Sequence, residues 1–526
     1  MKQFNKLFLL LLVSAFALNA NAQTRYLDDL FTGVSVSPDV PYATNISVLT
    51  GGADTIPLVM DIYTPDGDDA TDRPVVVYFH TGSFLPQYFN GQITGNKQDS
   101  TCAEICRRLA RKGYVAISAT YRAGWVPTAT GPEGQNTRTG TLLNAAYRGI
   151  QDARSLIRYL RKTVAEDENP YGINTDNITL WGQGTGGYLS YGCAYLDDFA
   201  ELALPKFVNT EDLSLYVDSN LVGDIFGLKD APLALSNWPG YSSDFKLAVN
   251  AGGALGDSTW IDGTDNEPAT IGFHVFADPF APYETGPVIV PVTGDFVVDV
   301  VGTRFVTNAA NENGANAIFM EANQDLSDPI NAINTVYSNT PAATIFGDPL
   351  PSLSVANMYP FLTDTLASGP WEWWGYEELA GQLAFFNTVA GTSFDVDEFD
   401  ATGRILNPDA SKEKAMAYID TMVNFFLPRA YLALDLATSV KEIITPESVS
   451  LTVGPNPIQD VALVSSAPDK PMQRVAIYNL DGKMMRGITN LNASQFELKR
   501  MNLPAGIYLL QAEFEEGVVT KKVMFK

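Results

Sequence analysis

The chain alternates short, continuous runs of apolar residues with longer segments in which apolar residues recur every three or four positions. The run at residues 75–79 (VVVYF) is typical of a strand buried on both faces, and the spacing from 146 to 160 is typical of an amphipathic helix. Similar strands are predicted at residues 58–65, 114–119, 178–181, 247–251 and 271–276, with another helix at 101–112. This alternation predicts an α/β fold whose mostly parallel sheet has helices on both faces.

From residue 285 to 440 the pattern is less regular and rich in aromatic residues, and a closing helix is predicted at 411–427. Trp371, Trp373 and Trp374 form the densest aromatic patch of this stretch. We interpret the patch as core packing under a long cap rather than as the wall of a ligand site, because large aromatic side chains are mostly buried.

The pattern changes again at residues 445–446. Beyond this point, short strands with alternating apolar residues are separated by turns, including a hairpin signal at residues 481–482. The strands are predicted at residues 461–464, 474–478, 506–511 and 518–525. The sequence therefore predicts two domains, an α/β domain over residues 23–440 and a small antiparallel β-sandwich over residues 446–526.

A glycine-dense turn, residues 182–187 (GQGTGG), joins the apolar run at 178–181 to a helical pattern. Strand, tight turn and helix are the context of a nucleophile elbow, in which the motif G-x-S-x-G presents a serine above the sheet. In this chain the central position is Gly184, which has no side chain with which to attack a substrate.

The same glycines also fit the dinucleotide fingerprint G-x-G-x-x-G, through Gly182, Gly184 and Gly187. That motif requires an acidic residue about 20 positions later, at the end of the next strand. Glu211 lies near the right distance, but residues 204–207 (LPKF) make a poor strand. The dinucleotide interpretation is therefore the less favoured one.

The composition describes an exported globular protein. Residues 1–22 have the basic start, short apolar core and small-residue end of a signal peptide, and no other stretch is long enough to span a membrane. With 34 Lys and Arg against 60 Asp and Glu, the net charge is −26, which disfavours nucleic acid as a partner. Only two histidines are present and there is no HExxH motif, so neither a metal site nor a cofactor is expected.

Several motifs occur in the order in which they occur in carboxylesterase-like members of the α/β-hydrolase superfamily. The chain resembles this family over residues 25–440, and the matching segments are residues 80–84 (HTGSF), 121–122 (YR), Asp152, 177–182 (NITLWG) and 274–279 (HVFADP). In the family, the first of these segments is a His-Gly-Gly-Gly-Phe-like oxyanion loop. The resemblance implies the α/β-hydrolase fold and carboxylic-ester chemistry.

The resemblance also assigns roles to particular positions. It places the nucleophile at Gly184 and the catalytic acid at Asp278, and it implies oxyanion donors at Gly82, Ser83 and Thr185. The family order of serine, acid and histidine requires a histidine after Asp278, but the histidines of this chain are His80 and His274. We interpret both as packed, neutral side chains and Asp278 as a structural turn residue.

The last segment resembles the C-terminal sorting domain of type IX secretion. The resemblance covers residues 446–526 and is carried by 454–457 (GPNP), 477–483 (IYNLDGK), 503–508 (LPAGIY) and the basic end at 521–522. It implies the type IX secretion machinery as a partner and export to the cell surface or medium of a Gram-negative bacterium.

These features together predict an exported carboxylesterase-like protein without a working triad, which uses the former cleft to bind a small-molecule or surface ligand. The alternative is an active carboxylic-ester hydrolase with an unconventional nucleophile. A serine that converged in space with a histidine on the cleft would favour this alternative.

Overall fold

The computed structural model describes residues 25–51, 54–131, 133–263, 266–290, 293–320, 344–345, 348–349, 355–363, 366–436, 445–479, 484–488, 491, 493–501, 503–514 and 517–526. The chain divides into two compact units, residues 1–436 and 437–526. The predicted signal peptide and the hairpin signal at 481–482 lie outside the described residues. None of the described helices combines the length and the apolar character that crossing a membrane requires.

An eight-stranded sheet forms the centre of the first unit, with the strand order β1-β2-β4-β3-β5-β6-β8-β13. Strand β2 runs antiparallel to both of its neighbours, and the pairs from β4 to β13 are all parallel. The strands are β1 (Val34–Ile46), β2 (Thr55–Pro65), β3 (Arg73–Phe79), β4 (Val115–Ala119), β5 (Ile173–Gln183), β6 (Leu247–Ala251), β8 (Ala269–Val275) and β13 (Met358–Phe361). The mostly parallel sheet predicted from the apolar pattern is confirmed.

Strand β3 explains why the sheet is covered on both faces. Its residues from Val75 to Phe79 are all fully buried. Because successive side chains of a strand point to opposite faces, Val75 and Val77 pack into one core, and Val76 and Tyr78 pack into another. Helices cover the two faces: α2 (Gly134–Glu166) and α3 (Thr185–Tyr195) contribute to the first core, and α1 (Ser100–Arg111) and α9 (Lys412–Ala433) to the second.

The remaining described elements of this unit are two smaller sheets and further helices. A small antiparallel sheet has the order β7-β10-β9, and β11 pairs with β12. These elements are β7 (Ala254–Leu255), β9 (Thr285–Ile289), β10 (Phe296–Gly302), β11 (Thr344–Ile345), β12 (Asp348–Pro349), α4 (Ser219–Val222), α5 (Thr303–Asn313), α6 (Ala317–Met320), α7 (Tyr376–Ala390) and α8 (Val396–Leu406).

The closing helix is longer than predicted. Helix α9 begins after its N-cap Ser411, whose side chain accepts a hydrogen bond from the Lys414 N–H, and it continues through Pro428 to Ala433. Proline removes only one helical hydrogen bond, and the buried residues on both sides of it, Phe426 and Ala430, hold the helix against the sheet.

The second unit is built from two small antiparallel sheets. One has the strand order β14-β15-β18 and the other β17-β16-β19-β20. The strands are β14 (Thr452–Gly454), β15 (Val461–Ser465), β16 (Arg474–Tyr478), β17 (Met484–Ile488), β18 (Gln495–Lys499), β19 (Gly506–Glu513) and β20 (Val518–Phe525). Buried residues from both sheets, such as Val464 and Leu510, form one core, and the predicted small antiparallel fold is confirmed.

Candidate functional site

The turn between β5 and α3 has the backbone geometry that a side chain presented above the sheet would need. Gly184 has φ +54° and ψ −118°, and it caps the N-terminus of α3. The turn is very tight, since a β-carbon on Gly186 would overlap the Phe79 carbonyl oxygen and lie 2.7 Å from its carbon. These contacts explain the density of glycines that the sequence shows at residues 182–187.

The space above Gly184 is filled by a neighbouring side chain. Thr81 follows β3, the parallel neighbour of β5. A β-carbon on residue 184 would overlap the Thr81 hydroxyl oxygen and would come within 3.0 Å of Thr81 Cβ. A hydroxyl therefore lies where a side chain of residue 184 would project, but it belongs to the loop after β3.

The loop after Thr81 adopts a rare backbone conformation. Gly82, Ser83 and Phe84 have φ values of +132°, +55° and +52°. Two bonds from the segment after β4 hold it: Trp125 Nε1 donates to the Ser83 carbonyl at 2.6 Å, and the Gly124 N–H donates to the Phe84 carbonyl at 2.7 Å. Non-glycine residues with positive φ cost free energy, and such strain is concentrated at functional sites.

His80 is a buried, neutral part of the same loop. Its Nδ1 contacts the Thr81 carbonyl oxygen at 2.5 Å, and its ring stacks on Tyr121 with 4.7 Å between centroids. Burial lowers the pKa of His80 to about 4. The Tyr121 hydroxyl lies 2.9 Å from the His80 carbonyl oxygen and 2.8 Å from Thr185 Oγ1, so it joins the loop to the start of α3.

A buried ion pair anchors the segment that carries Tyr121. Asp152 on α2 accepts hydrogen bonds from the Arg122 N–H at 2.8 Å and from Arg122 Nε at 2.9 Å. Both side chains are almost fully buried. Asn45 and Gln151 accept further bonds from the guanidinium, which satisfies most of its donors. The two motif positions that the sequence singled out, 121–122 and Asp152, thus meet in one structural network.

The second histidine lies in the core at the end of β8. His274 is fully buried; its Nδ1 lies 2.8 Å from Thr303 Oγ1 and its Nε2 lies 3.2 Å from the Ala281 carbonyl oxygen. Burial lowers its pKa to about 4. Its Nε2 is 3.8 Å from Asp278 Oδ2, which is beyond hydrogen-bonding distance.

Asp278 is a turn residue whose side chain also faces a cavity. Its Oδ1 accepts from the N–H groups of Phe280 and Ala281, at 2.8 and 3.3 Å. Burial raises the pKa of Asp278 to about 7, although the two backbone hydrogen bonds oppose the shift. Asp278 is therefore a cavity-lining carboxyl group whose pKa is raised toward neutrality.

A second buried acid, Glu372, was not predicted from the sequence. It lies in the segment that follows β13, and it accepts hydrogen bonds from Gln183 Nε2 at 2.5 Å and from Thr94 Oγ1 at 3.3 Å. Gln183 in turn accepts from the Tyr78 hydroxyl at 2.7 Å. Burial raises the pKa of Glu372 to about 7. The sequence distinguishes Glu372 only as the single acidic residue between the tryptophans at 371 and 373.

One cavity of about 620 Å³ brings these groups together. Its lining includes Gly184, Ser83, Thr185 and Asp278, four of the predicted site residues, with Gly82 next to them in the loop. Glu372 and Thr81 also line it, but neither His80 nor His274 is part of the lining. Of the tryptophan patch, Trp371 is fully buried as predicted, whereas Trp374 forms part of the cavity wall.

A long apolar part of the cavity extends from this polar end. It is enclosed by α2, α3, the segment between α3 and β6, and strands β9 and β10. The apolar lining residues are Leu142, Leu143, Ala146, Tyr147, Ile150, Tyr188, Leu196, Leu202, Phe207, Val217, Trp260, Val288, Ile289, Val298 and Val300. A cavity of this size and composition is typical of sites for small organic molecules, which are about 300–1,000 Å³. Within the described ranges, no cluster of side chains could hold a metal ion.

Comparisons with known proteins agree with this architecture. Residues 60–238 match the BD-FAE family model, and residues 452–526 match the model of the secretion system C-terminal sorting domain. Secreted lipase 5 of Gibberella zeae is 26% identical over 161 residues, which are 30% of this chain and 26% of the lipase. The chain therefore matches about a quarter of that relative's length.

Solved structures of esterases are also similar. Esterase 2 of Thermogutta terrifontis with bound propionate is 17% identical and covers 70% of this chain and 98% of its own, with a TM-score of 0.32. A truncated carbohydrate esterase from gut microbiota is 18% identical and covers 56% of this chain and 88% of its own, with a TM-score of 0.32.

The fold and the cavity at the carboxyl ends of its strands define an α/β-hydrolase-type protein. Over residues 60–238 the chain is similar to the BD-FAE family, and residues 452–526 match the sorting domain of the type IX secretion system. The protein is therefore exported to the cell surface or the medium of a Gram-negative bacterium.

Proposed function

We propose that the hydrolase-fold part of this exported protein is non-catalytic and holds a small ligand in the cavity. The observation that carries this proposal is the position of Thr81, which occupies the space above Gly184. In this interpretation Gly184 stands at the family's nucleophile position, Asp278 at its acid position, and Ser83 and Thr185 in its oxyanion hole. The elbow and the loop persist, and the groups that perform bond cleavage are gone.

The missing base supports the same conclusion. A serine or threonine hydroxyl becomes a useful nucleophile when a base within about 2.6–3.2 Å removes its proton. Neither of the two histidines lines the cavity, and both have pKa values lowered to about 4 with ring nitrogens engaged by backbone or threonine oxygens. Among the described residues, no carboxylate or imidazole hydrogen-bonds to the Thr81 hydroxyl.

Glu372 adds to the argument, because it lies after Asp278, in the segment of the chain in which the order of nucleophile, acid and histidine requires a catalytic histidine. In this chain that segment places a carboxyl group against Gln183, next to Gly184. Gln183 lies between the Tyr78 hydroxyl and the Glu372 carboxyl group. Its side-chain amide cannot accept and transfer a proton as an imidazole does. The network is suited to fixing the elbow and lining a binding site.

A second candidate function is carboxylic-ester hydrolysis with Thr81 as the nucleophile. It is favoured by one observation, the presence of the Thr81 hydroxyl in the space where residue 184 would project. A free threonine hydroxyl beside oxyanion donors, without a base, would accelerate hydrolysis only weakly.

Steady-state hydrolysis of p-nitrophenyl acetate and butyrate by the full chain separates the two functions. A binding protein gives no turnover above that of the Thr81→Val variant, which removes the hydroxyl and keeps the shape of the side chain. Turnover that is saturable and lost in Thr81→Val would contradict the proposal and assign the reaction to Thr81.

A further inference from the structure

The charges around the cavity are of one sign. Of the described residues that line it, none is a lysine, an arginine or a histidine, and the two that carry ionisable carboxyl groups are Asp278 and Glu372. A bound carboxylate or phosphate would therefore find no cationic side chain in the lining. A positive group, in contrast, would find two acids that ionise near neutral pH.

The two acids differ in what they can offer a ligand. Both oxygens of Glu372 already accept hydrogen bonds, from Gln183 and from Thr94. Both backbone bonds to Asp278 end on Oδ1, and Oδ2 has no hydrogen-bond partner among the described residues. The Asp278 side chain is only 2% exposed, and its Oδ2 lies 3.8 Å from Nε2 of His274, whose pKa is lowered by burial.

The free oxygen lies beside a residue that lines the cavity. Asp278 Oδ2 lies 3.5 Å from the position that a β-carbon on Gly252 would take, and Gly252 and Asp278 both line the cavity. Tyr188, which also lines the cavity, is close enough for the charge of Asp278 to affect its pKa. Tyr188 belongs to the apolar part, so the free carboxylate oxygen lies next to that part.

We propose that the cavity binds an amphiphilic amine, with its ammonium group on Asp278 Oδ2 and its aliphatic or aromatic body in the apolar part. This inference rests on the proposed function, since it assumes that the cavity holds a ligand without hydrolysing it. Oδ2 accepts no hydrogen bond from the described residues, and an ammonium group supplies a donor together with the opposite charge. The fifteen apolar residues of that part supply the hydrophobic contribution to the binding free energy.

Isothermal titration of the full chain at pH 8 with three ten-carbon ligands tests the head group directly. Decylamine, which is protonated at this pH, is expected to bind at least tenfold more tightly than decanol. Decanoate is expected to bind more weakly than decanol, because it meets only acidic side chains. The series uses the native protein, so its result does not depend on whether any variant folds.

Variants then locate the two halves of the site. Asp278→Asn is expected to lower the affinity for decylamine to that for decanol, whereas Asp244→Asn, which removes a charge from an exposed residue, leaves the preference unchanged. Ala146→Phe, which fills the apolar part, is expected to weaken decylamine and decanol alike.

Equal or tighter binding of decanol would overturn the inference, and so would the tightest binding by decanoate, which would make the N-terminus of α3 the dominant charge in the cavity. Absence of binding by all three ligands would also overturn it. None of these results would restore catalysis, so the proposed function fails separately, through saturable ester turnover.

Discussion

The Thr81 side chain fills the space into which a side chain at Gly184 would project. Where the resemblance to the esterases has a glycine in the oxyanion loop, this chain has Thr81, and where it has a serine, the chain has Gly184. The two positions are so close that a β-carbon on residue 184 would lie 3.0 Å from Thr81 Cβ and overlap the hydroxyl. The Thr81 side chain therefore leaves no room for a side chain at residue 184.

The first prediction concerns this closure. Gly184→Ser is expected to destabilise the protein by about 1–3 kcal/mol and to leave ester hydrolysis at background, because the new side chain overlaps Thr81 and neither His80 nor His274 lines the cavity. Adding Thr81→Gly removes the overlap. The double variant should therefore lose less free energy of unfolding than the sum of the losses of the two single variants, by about 1 kcal/mol or more.

Thermal unfolding of the wild type, both single variants and the double variant measures this coupling. The Thr81→Gly variant alone is the control for the loss of the threonine side chain. Additive changes in stability would show that the two side chains do not compete for the same space.

The second prediction is that Asp278→Asn stabilises the protein at neutral pH. The ordinary pKa of the aspartate is 3.8, and burial raises the pKa of Asp278 to about 7 in the folded protein. As pH rises through this window, the unfolded chain loses its proton first, so the folded wild type loses stability relative to the unfolded state. Asparagine has no proton to lose.

The advantage of the variant over the wild type should thus be near zero at pH 4 and grow to a few kcal/mol by pH 7–8. Melting temperatures measured from pH 4 to 8 follow this difference directly. Asp244→Asn, at an exposed position, serves as the control. A difference in Tm that does not change with pH would mean that Asp278 is already ionised in the fold.

The third prediction is that decylamine binding releases a proton. Below pH 7, Asp278 carries a proton that the ammonium group must displace, so affinity should fall as pH decreases from 8 to 5.5. His274 and Tyr188, the titratable groups that face Asp278, stay neutral throughout, since burial lowers the pKa of the histidine and raises that of the tyrosine.

Titrations at pH 6 in buffers of different ionisation enthalpy count the released proton. Glu372 titrates in the same range, so the experiment is repeated in Glu372→Gln, where release by Asp278 should persist. Release that disappears in Glu372→Gln and survives in Asp278→Asn would place the ammonium group on the wrong acid.

The fourth prediction concerns the anchor beneath the loop. Asp152→Ala is expected to destabilise the first unit by about 3–5 kcal/mol, because it leaves the buried Arg122 guanidinium without its counter-charge. Asp152→Asn, which keeps an acceptor, should cost less. Chemical denaturation measures both changes, and a loss below about 1 kcal/mol for the alanine variant would mean that Arg122 is satisfied by its other acceptors.

The central strands were predictable from the sequence, and the edges of the sheet were not. Strands β3 and β5 lie between neighbours and are buried on both faces, which requires the continuous apolar runs that the sequence displays. The two outermost strands, β1 and β13, contain Pro38 and Pro41 in the first and Pro360 in the second. Proline is tolerated at a sheet edge, where a hydrogen bond can be absent, and it obscures the strand pattern.

The site was predictable only as far as motif order reaches. Gly184, Ser83, Thr185 and Asp278, which line one cavity, were singled out because their segments follow one another in the order that the esterase resemblance implies. The contact between Thr81 and Gly184 joins two segments a hundred residues apart, and Glu372 reaches the elbow from an irregular aromatic stretch. Neither the contact between Thr81 and Gly184 nor the position of Glu372 can be read from a local sequence pattern. Both depend on how the strands are ordered in the sheet.

The central claim is that no nucleophile operates in this cavity, and covalent labelling tests it most directly. The full chain is incubated with a fluorophosphonate, which reacts with activated serine or threonine hydroxyls, and the intact mass is measured beside a denatured control. The account predicts no adduct beyond that control. A stoichiometric adduct that forms only on the folded protein and maps to Thr81, Ser83 or Thr185 would contradict it.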